Sequence, residues 1–253
     1  MDATLNIALV ISILMNLLTL GLGILIIIRR GFAFSLIRRL LGVVRRKSKL
    51  FPLEEIPYYR DKTSHFSRLL HRESEVVFLG DSLTDYGEWS ELFRDIPLKN
   101  RGISGDRTDG VLNRLDEIVE SNPKSIFLLI GINDIIQGRR NDEVLKTYCE
   151  ILETLKSQLS GTTVFIQSVL PTNTTLSVQK LGVKINNNQV VELNNRLKEL
   201  AKTFSFPYID LFSAFSDNQN ELNAQYTTDG VHLNGQGYWL WKECIEKYVV
   251  NSK

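Results

Sequence analysis

Cysteine, histidine and proline are scarce in this chain of 253 residues, which carries two, three and six of them. Two cysteines, Cys149 and Cys244, are too few for a disulfide scaffold or a zinc cluster. Both fall in stretches with helical spacing and read as ordinary half-buried thiols, with a bridge between them left open. Cations are also thin over most of the chain. Residues 29–50 hold eight of them (Arg29, Arg30, Arg38, Arg39, Arg45, Arg46, Lys47 and Lys49) and no acid. With those eight and Asp2 set aside, the 30 basic and 29 acidic residues become 22 and 28, so residues 51–253 carry a net charge of −6. An acidic body does not fit a nucleic-acid binder, which needs cations on the folded domain itself. Internal repeats and low-complexity segments are absent, and 43% hydrophobic with 23% charged residues excludes a mainly disordered chain.

What the chain does have is a long apolar run. Residues 5–28 form 24 positions without a charge, rich in Leu and Ile. As a helix they would extend about 36 Å, enough to cross a hydrocarbon core of about 30 Å with some tilt. A cleaved signal peptide would need a basic start and a shorter apolar stretch, and the opening Met1-Asp2-Ala3 offers no cation. The reading is a retained single transmembrane helix. Its eight following cations predict the amino terminus outside and residues 29–253 on the cytoplasmic side. Residues 31–44 set Phe32, Phe34, Leu36, Ile37, Leu40 and Leu41 around Arg38 and Arg39. Two readings stay open for them, an amphipathic extension on the membrane surface and a solvated basic linker.

From about residue 74 the pattern changes to short apolar runs alternating with longer amphipathic ones. Val76–Gly80 (VVFLG), 125–130 (SIFLLI), 163–169 (TVFIQSV) and 207–211 (PYIDL) are strand candidates, with a weaker one at 97–101. Continuous apolar runs suit strands buried on both faces of a parallel sheet. Helices are predicted at about 107–121, 141–159, 186–203 and 234–249, the last opening on Asn234 as its N-cap. The organisation expected is an anchor and basic segment at 1–50, a polar connector at 51–73, and an α/β domain at 74–253 with a mostly parallel sheet. Ligands collect at the carboxyl ends of the strands in such folds, so site residues should sit just after strands.

Four short blocks are candidates, three of them just after strands and the fourth just before the final helix. Gly80-Asp81-Ser82-Leu83 follows the first strand and offers the Ser82 hydroxyl at the sheet edge. Asn100-Arg101-Gly102-Ile103-Ser104-Gly105 follows the weak strand, and Gly102 lets a backbone N–H approach a ligand unobstructed. Gly131-Ile132-Asn133-Asp134 follows SIFLLI, where the Asn133 amide can serve a developing oxyanion. Asp134 reads as a helix or turn cap. Asp229-Gly230-Val231-His232-Leu233-Asn234 supplies a histidine with a carboxylate three residues earlier. His65 and His71 both precede the sheet, so His232 is the candidate base. The polar segment 171–189 (PTNTTLSVQKLGVKINNNQ) should border the pocket, as a lid or as a plain loop.

Together these blocks resemble the SGNH (GDSL) hydrolase family over roughly residues 74–249. The run NRGISGDRT at 100–108, with GIND downstream, is most similar to the branch containing platelet-activating-factor acetylhydrolase-like and lysophospholipase-like esterases. The resemblance implies a flavodoxin-like three-layer α/β/α sandwich of about five parallel strands. It implies Ser82 as nucleophile, His232 as general base and then acid, and Asp229 as the group that orients the imidazole. The oxyanion would be held by the backbone N–H groups of Ser82 and Gly102 and by the Asn133 side chain. No metal or organic cofactor is implied. One departure is Asp85, an acidic neighbour expected near the mouth of the site. The expected substrate is an acyl ester, lipid-derived, lysophospholipid or thioester, which an anchor at 5–28 would keep near the bilayer. A carbohydrate O-acetylesterase and a non-catalytic membrane-tethered scaffold are the alternatives.

Overall fold

The computed structural model describes residues 52–69 and 75–251. The apolar run at 5–28 and the basic segment at 29–50, with the anchor and topology expected of them, lie outside the described residues, as does His71. Among the described residues, no helix is long and apolar enough to cross a membrane.

A 3-10 turn at Leu53–Glu55 leads into α1 (Pro57–Phe66), where Pro57 opens the helix with the φ it needs and no N–H to lose. Then come β1 (Val76–Gly80), α2 (Ser82–Asp85), α3 (Trp89–Leu92), β2 (Leu98–Gly102), α4 (Thr108–Asn113), α5 (Leu115–Glu120) and β3 (Ser125–Leu129). The second half holds α6 (Ile132–Ile136), α7 (Asn141–Gln158), β4 (Thr163–Gln167), α8 (Thr174–Leu181), α9 (Asn187–Phe204), β5 (Tyr208–Ile209), α10 (Leu211–Phe215) and α11 (Gly235–Val250). The five strands form one parallel sheet in the order β2-β1-β3-β4-β5.

Alternation of side chains along the strands explains why both faces are covered. Val77, Leu79, Ile126, Leu128, Val164 and Ile166 point into one core, against the apolar stripes of α4, α5, α7 and α9. Val76, Phe78, Phe127, Leu129 and Phe165 point into the other, against Trp89, Phe215, Trp241 and Ile245. Phe78, Phe127 and Phe165 stack across neighbouring strands with centroids 5.1 and 4.6 Å apart. The chain leaves β1 toward β2 on one side and β3 on the other. That reversal opens the crevice at the carboxyl ends of β1 and β3, where a ligand fits in this class of sheet.

The structure departs from the sequence reading in three places. The helix expected over 107–121 is two helices, α4 and α5, broken at Arg114 (φ −120°, ψ 19°). Its guanidinium is drawn inward to Asp106, Gly80 and Arg101. The polar segment 171–189 contains α8, started by the Asn173 side chain accepting the Leu176 N–H and ended at Gly182 (φ 67°). The stretch read as a connector packs on the body: Leu53, Tyr59 and Phe66 form a small core with Ile103, just beyond β2.

Candidate active site

Ser82 is the first residue of α2, two positions after the end of β1. Gly80 makes that exit possible, because a Cβ there would lie 2.3 Å from the Leu129 carbonyl oxygen. Asp81 caps the short helix, its Oδ1 accepting the Leu83 N–H at 3.0 Å. Asp81 is fully buried. Burial pushes its carboxyl up to about 8, with the Asp106 and Asp134 charges adding to the effect.

The Ser82 Oγ lies 3.0 Å from His232 Nε2, across 150 residues of sequence. On the far side of the ring, Nδ1 lies 2.7 Å from Asp229 Oδ2. The other Asp229 oxygen accepts the N–H groups of Val231 and His232 at 2.9 and 2.8 Å, which fixes carboxylate and ring as one unit. Burial raises the Asp229 carboxyl, but the His232 ring and the two backbone donors outweigh it and hold it below its ordinary value. The loop that carries the pair is pinned by Thr227 Oγ1, which accepts the Gly230 N–H at 2.8 Å. Gly230 has φ 88°, and a Cβ there would meet the Asn173 carbonyl oxygen at 2.5 Å. Asn234 then caps α11, its Oδ1 taking the Gly237 N–H at 3.0 Å.

Asn133 sits in the first turn of α6, after Gly131 turns the chain with φ 136°. One N–H of its amide is donated to the Asp106 carbonyl at 2.9 Å, which leaves the second for a ligand. Gly102 does not serve as the second donor. It ends β2, and its N–H is donated to Asn100 Oδ1 at 2.9 Å. The missing side chain serves packing instead, since a Cβ at this position would lie 2.1 Å from the Asp85 nitrogen. Three residues on, Gly105 is exposed, has φ 80°, and its N–H has no partner among the described residues. Its neighbours place it at the site. Ser104 Oγ is 3.0 Å from the Tyr86 hydroxyl, Tyr86 lies 5.3 Å from the His232 ring, and the Asp106 carbonyl holds Asn133. The sequence reading missed Gly105, although it belongs to the same NRGISGD run.

Half-buried and buried polar groups brace this arrangement. The Asn100 amide donates to the carbonyls of Thr84, Asp85 and Gly87 at 3.0–3.1 Å, which fixes the backbone behind the nucleophile. Arg114 pairs with Asp106 at 2.9 Å and also donates to the carbonyls of Gly80 and Arg101. Burial raises the Asp106 carboxyl to about 6, against the pull of Arg114. Asp134 is no cap of its own helix. It accepts from the Thr108 N–H and hydroxyl and from Arg139, and so ties α6 to α4.

Asp85 does not face the mouth of the site. Its side chain is 4% exposed and carries an ion pair with Lys62. Cys149 and Cys244 are free thiols, both raised by burial. No group of three His, Cys, Asp or Glu among the described residues could hold a metal ion.

Comparison with known proteins places the same stretch in context. Residues 78–240 match the model of the GDSL-like Lipase/Acylhydrolase family. The chain is 26% identical over 183 residues to N-acylneuraminate cytidylyltransferase of Escherichia coli O18:K1:H7, a match over 70% of this chain and 40% of that protein. It thus spans less than half the length of that relative. It is 26% identical over 174 residues to platelet-activating factor acetylhydrolase IB subunit alpha2 of Rattus norvegicus, covering 66% of this chain and 72% of that one. Among solved structures, one from Streptococcus pneumonia named for platelet activating factor superimposes with a TM-score of 0.69 at 27% identity, covering 87% of this chain and 99% of that chain.

Proposed function

The chain belongs to the GDSL-like lipase/acylhydrolase family, and from that premise we propose that it hydrolyses acyl esters with Ser82 as its nucleophile. The observation that carries the reading is the hydrogen-bonded series Ser82 Oγ, His232 Nε2, His232 Nδ1, Asp229 Oδ2, with separations of 3.0 and 2.7 Å. Ser82 Oγ attacks the ester carbonyl as its proton passes to His232 Nε2. Asp229 stays ionised, fixes the tautomer and stabilises the imidazolium. The carbonyl oxygen, now an oxyanion, accepts from the Ser82 and Gly105 N–H groups and the free N–H of Asn133. His232 returns the proton to the leaving alkoxide, which departs and leaves an acyl-serine. Water then attacks that ester with His232 as base, and collapse of the second intermediate frees the acid and the Ser82 hydroxyl.

The substrate we propose is a lipid-derived acyl ester. Two features support it. One is the relative that is named an acetylhydrolase of platelet-activating factor. The other is the apolar run at 5–28, which as a single-pass anchor, with the catalytic domain on the cytoplasmic side, would hold the site near substrates that partition into a bilayer. The Escherichia coli relative is named for a sugar acid, N-acylneuraminate, and a carbohydrate O-acetyl ester is kept as the second reading on the sugar alone. The test is turnover by the full-length chain of a short-chain phospholipid ester, a lysophospholipid, an acyl thioester and an O-acetylated sugar, each beside Ser82→Ala. The expected result is highest kcat/KM on a lipid ester and none with the variant. Preference for the sugar would select the second reading, and turnover undiminished in the variant would remove both.

A further inference from the structure

Three donors converge on one carboxylate beside the site. Asp85, the last residue of α2, accepts the Tyr58 hydroxyl on Oδ2 at 2.6 Å and pairs with Lys62 Nζ through Oδ1 at 2.7 Å. Its Oδ2 also accepts the Ser104 N–H at 3.0 Å. Tyr58 and Lys62 belong to α1, whereas Ser104 is the residue before Gly105. One buried carboxylate therefore ties a helix outside the α/β sandwich to the loop proposed to bind the oxyanion.

The two faces of α1 do different work. One face anchors it, through the small core of Leu53, Tyr59, Phe66 and Ile103 and the Tyr59 hydroxyl donated to the Gly110 carbonyl at 2.8 Å. Tyr58 takes no part in those contacts, whereas Lys62 Nζ also lies 5.2 Å from the centre of the Phe66 ring. Tyr58 is 46% exposed and lies outside that small core, yet its hydroxyl reaches the Asp85 carboxylate. Asp85 in turn is fixed through its backbone, since its carbonyl accepts from Asn100 and its nitrogen closes on Gly102. Of the contacts made by its carboxylate, the Ser104 N–H is the one that reaches the loop. An unpaired carboxylate this buried would draw in water or shift, and the loop would move with it.

We infer that Tyr58 and Lys62 are positioning residues for ester hydrolysis, acting through Asp85 and the Ser104 N–H to set the Gly105 donor. The inference rests on the oxyanion reading above. Such a tie affects the transition state far more than the ground-state ester, because the donor matters most when charge develops on the carbonyl oxygen. A displacement on the order of 1 Å at such a site costs up to about 100-fold in rate.

The experiment uses the full-length chain with p-nitrophenyl acetate, comparing wild type, Tyr58→Phe, Lys62→Met, Lys62→Arg and Ser82→Ala. A boronic acid, which forms a tetrahedral adduct on the serine oxygen, is titrated in parallel. Tyr58→Phe and Lys62→Met should each lower kcat about tenfold and weaken boronate inhibition by a similar factor, with KM held within about twofold. Lys62→Arg should recover most of the loss. Should Lys62→Met fail to fold, Tyr58→Phe carries the test, since it removes one oxygen and leaves the anchoring face intact. Values of kcat and boronate inhibition within about twofold of wild type in Tyr58→Phe, with Ser82→Ala inactive, would overturn this inference and leave the serine mechanism standing. An active Ser82→Ala would overturn that mechanism and this inference with it.

Discussion

At the scale of single residues, side chains that carry chemistry and backbone groups that carry it were not equally legible. Ser82, Asn133, His232 and Asp229 stand out in sequence because few residue types can attack, donate or shuttle a proton, and each follows a strand or opens a helix. A backbone donor has no such signature. Whether Gly102 or Gly105 offers its N–H depends on φ and on which acceptor has claimed it, and Asn100 claims Gly102. The two glycines should therefore fail differently. Gly102→Ala drives a Cβ into the Asp85 backbone and should lower the melting temperature sharply. Gly105→Ala points its Cβ into open space and strains only φ, at a cost of about 1–2 kcal/mol, so it should stay folded while kcat falls. Thermal melts beside initial rates separate the two. Asn133→Ala should lower kcat about 100- to 1,000-fold with the fold retained, checked by the same pair of measurements.

Asp81 gives a pH prediction at the same scale. Burial raises its folded value to about 8, so the folded state binds this proton more tightly than the unfolded chain does. Its contribution to stability is fully present below the unfolded value of about 4 and is lost as pH rises toward the folded one. Relative to Asp81→Asn, the wild-type melting temperature should fall between pH 5 and pH 8. Parallel curves would contradict the account.

At the scale of elements, legibility followed burial. The central strands β1, β3 and β4 are buried on both faces and read directly as continuous apolar runs. The edge strand β2 (LKNRG) carries polar residues that are half-buried or buried in spite of their charge and read weakly, and β5 shrinks to Tyr208–Ile209 at the opposite edge. The break between α4 and α5 was invisible because apolar spacing continues through Val111, Leu115 and Ile118. The break falls at Arg114, whose side chain turns in to Asp106, Arg101 and Gly80, 8, 13 and 34 residues back in the chain. Helix α8 was hidden by its composition, since a polar stretch with Asn at its start looks like a loop until the cap is formed. Helix α9 supplies a further test. Asn194 reaches back to bind both the N–H and the carbonyl of buried Val169 at 2.8 Å, closing the chain just past β4. Asn194→Ala leaves two buried backbone groups unpaired and should cost about 2–4 kcal/mol in urea unfolding. A midpoint unchanged from wild type would show that those bonds add nothing.

For the whole molecule, the parallel sheet brings together residues far apart in sequence. Positions 82, 105, 133 and 229–232 come from four separate segments, two opening helices and two in loops, braced by Asn100, Arg114 and Asp134. The acidic body and the apolar run at 5–28 bear on where such a site would work, and the anchor remains a proposal read from sequence. The central claim is that one serine performs the chemistry, and covalent labelling tests it most directly. The full-length chain would be treated with a fluorophosphonate, digested, and searched by mass spectrometry for the modified peptide. The account predicts a single stoichiometric adduct on Ser82, lost in Ser82→Ala together with all ester turnover. An adduct on another residue, or turnover that survives in Ser82→Ala, would contradict it.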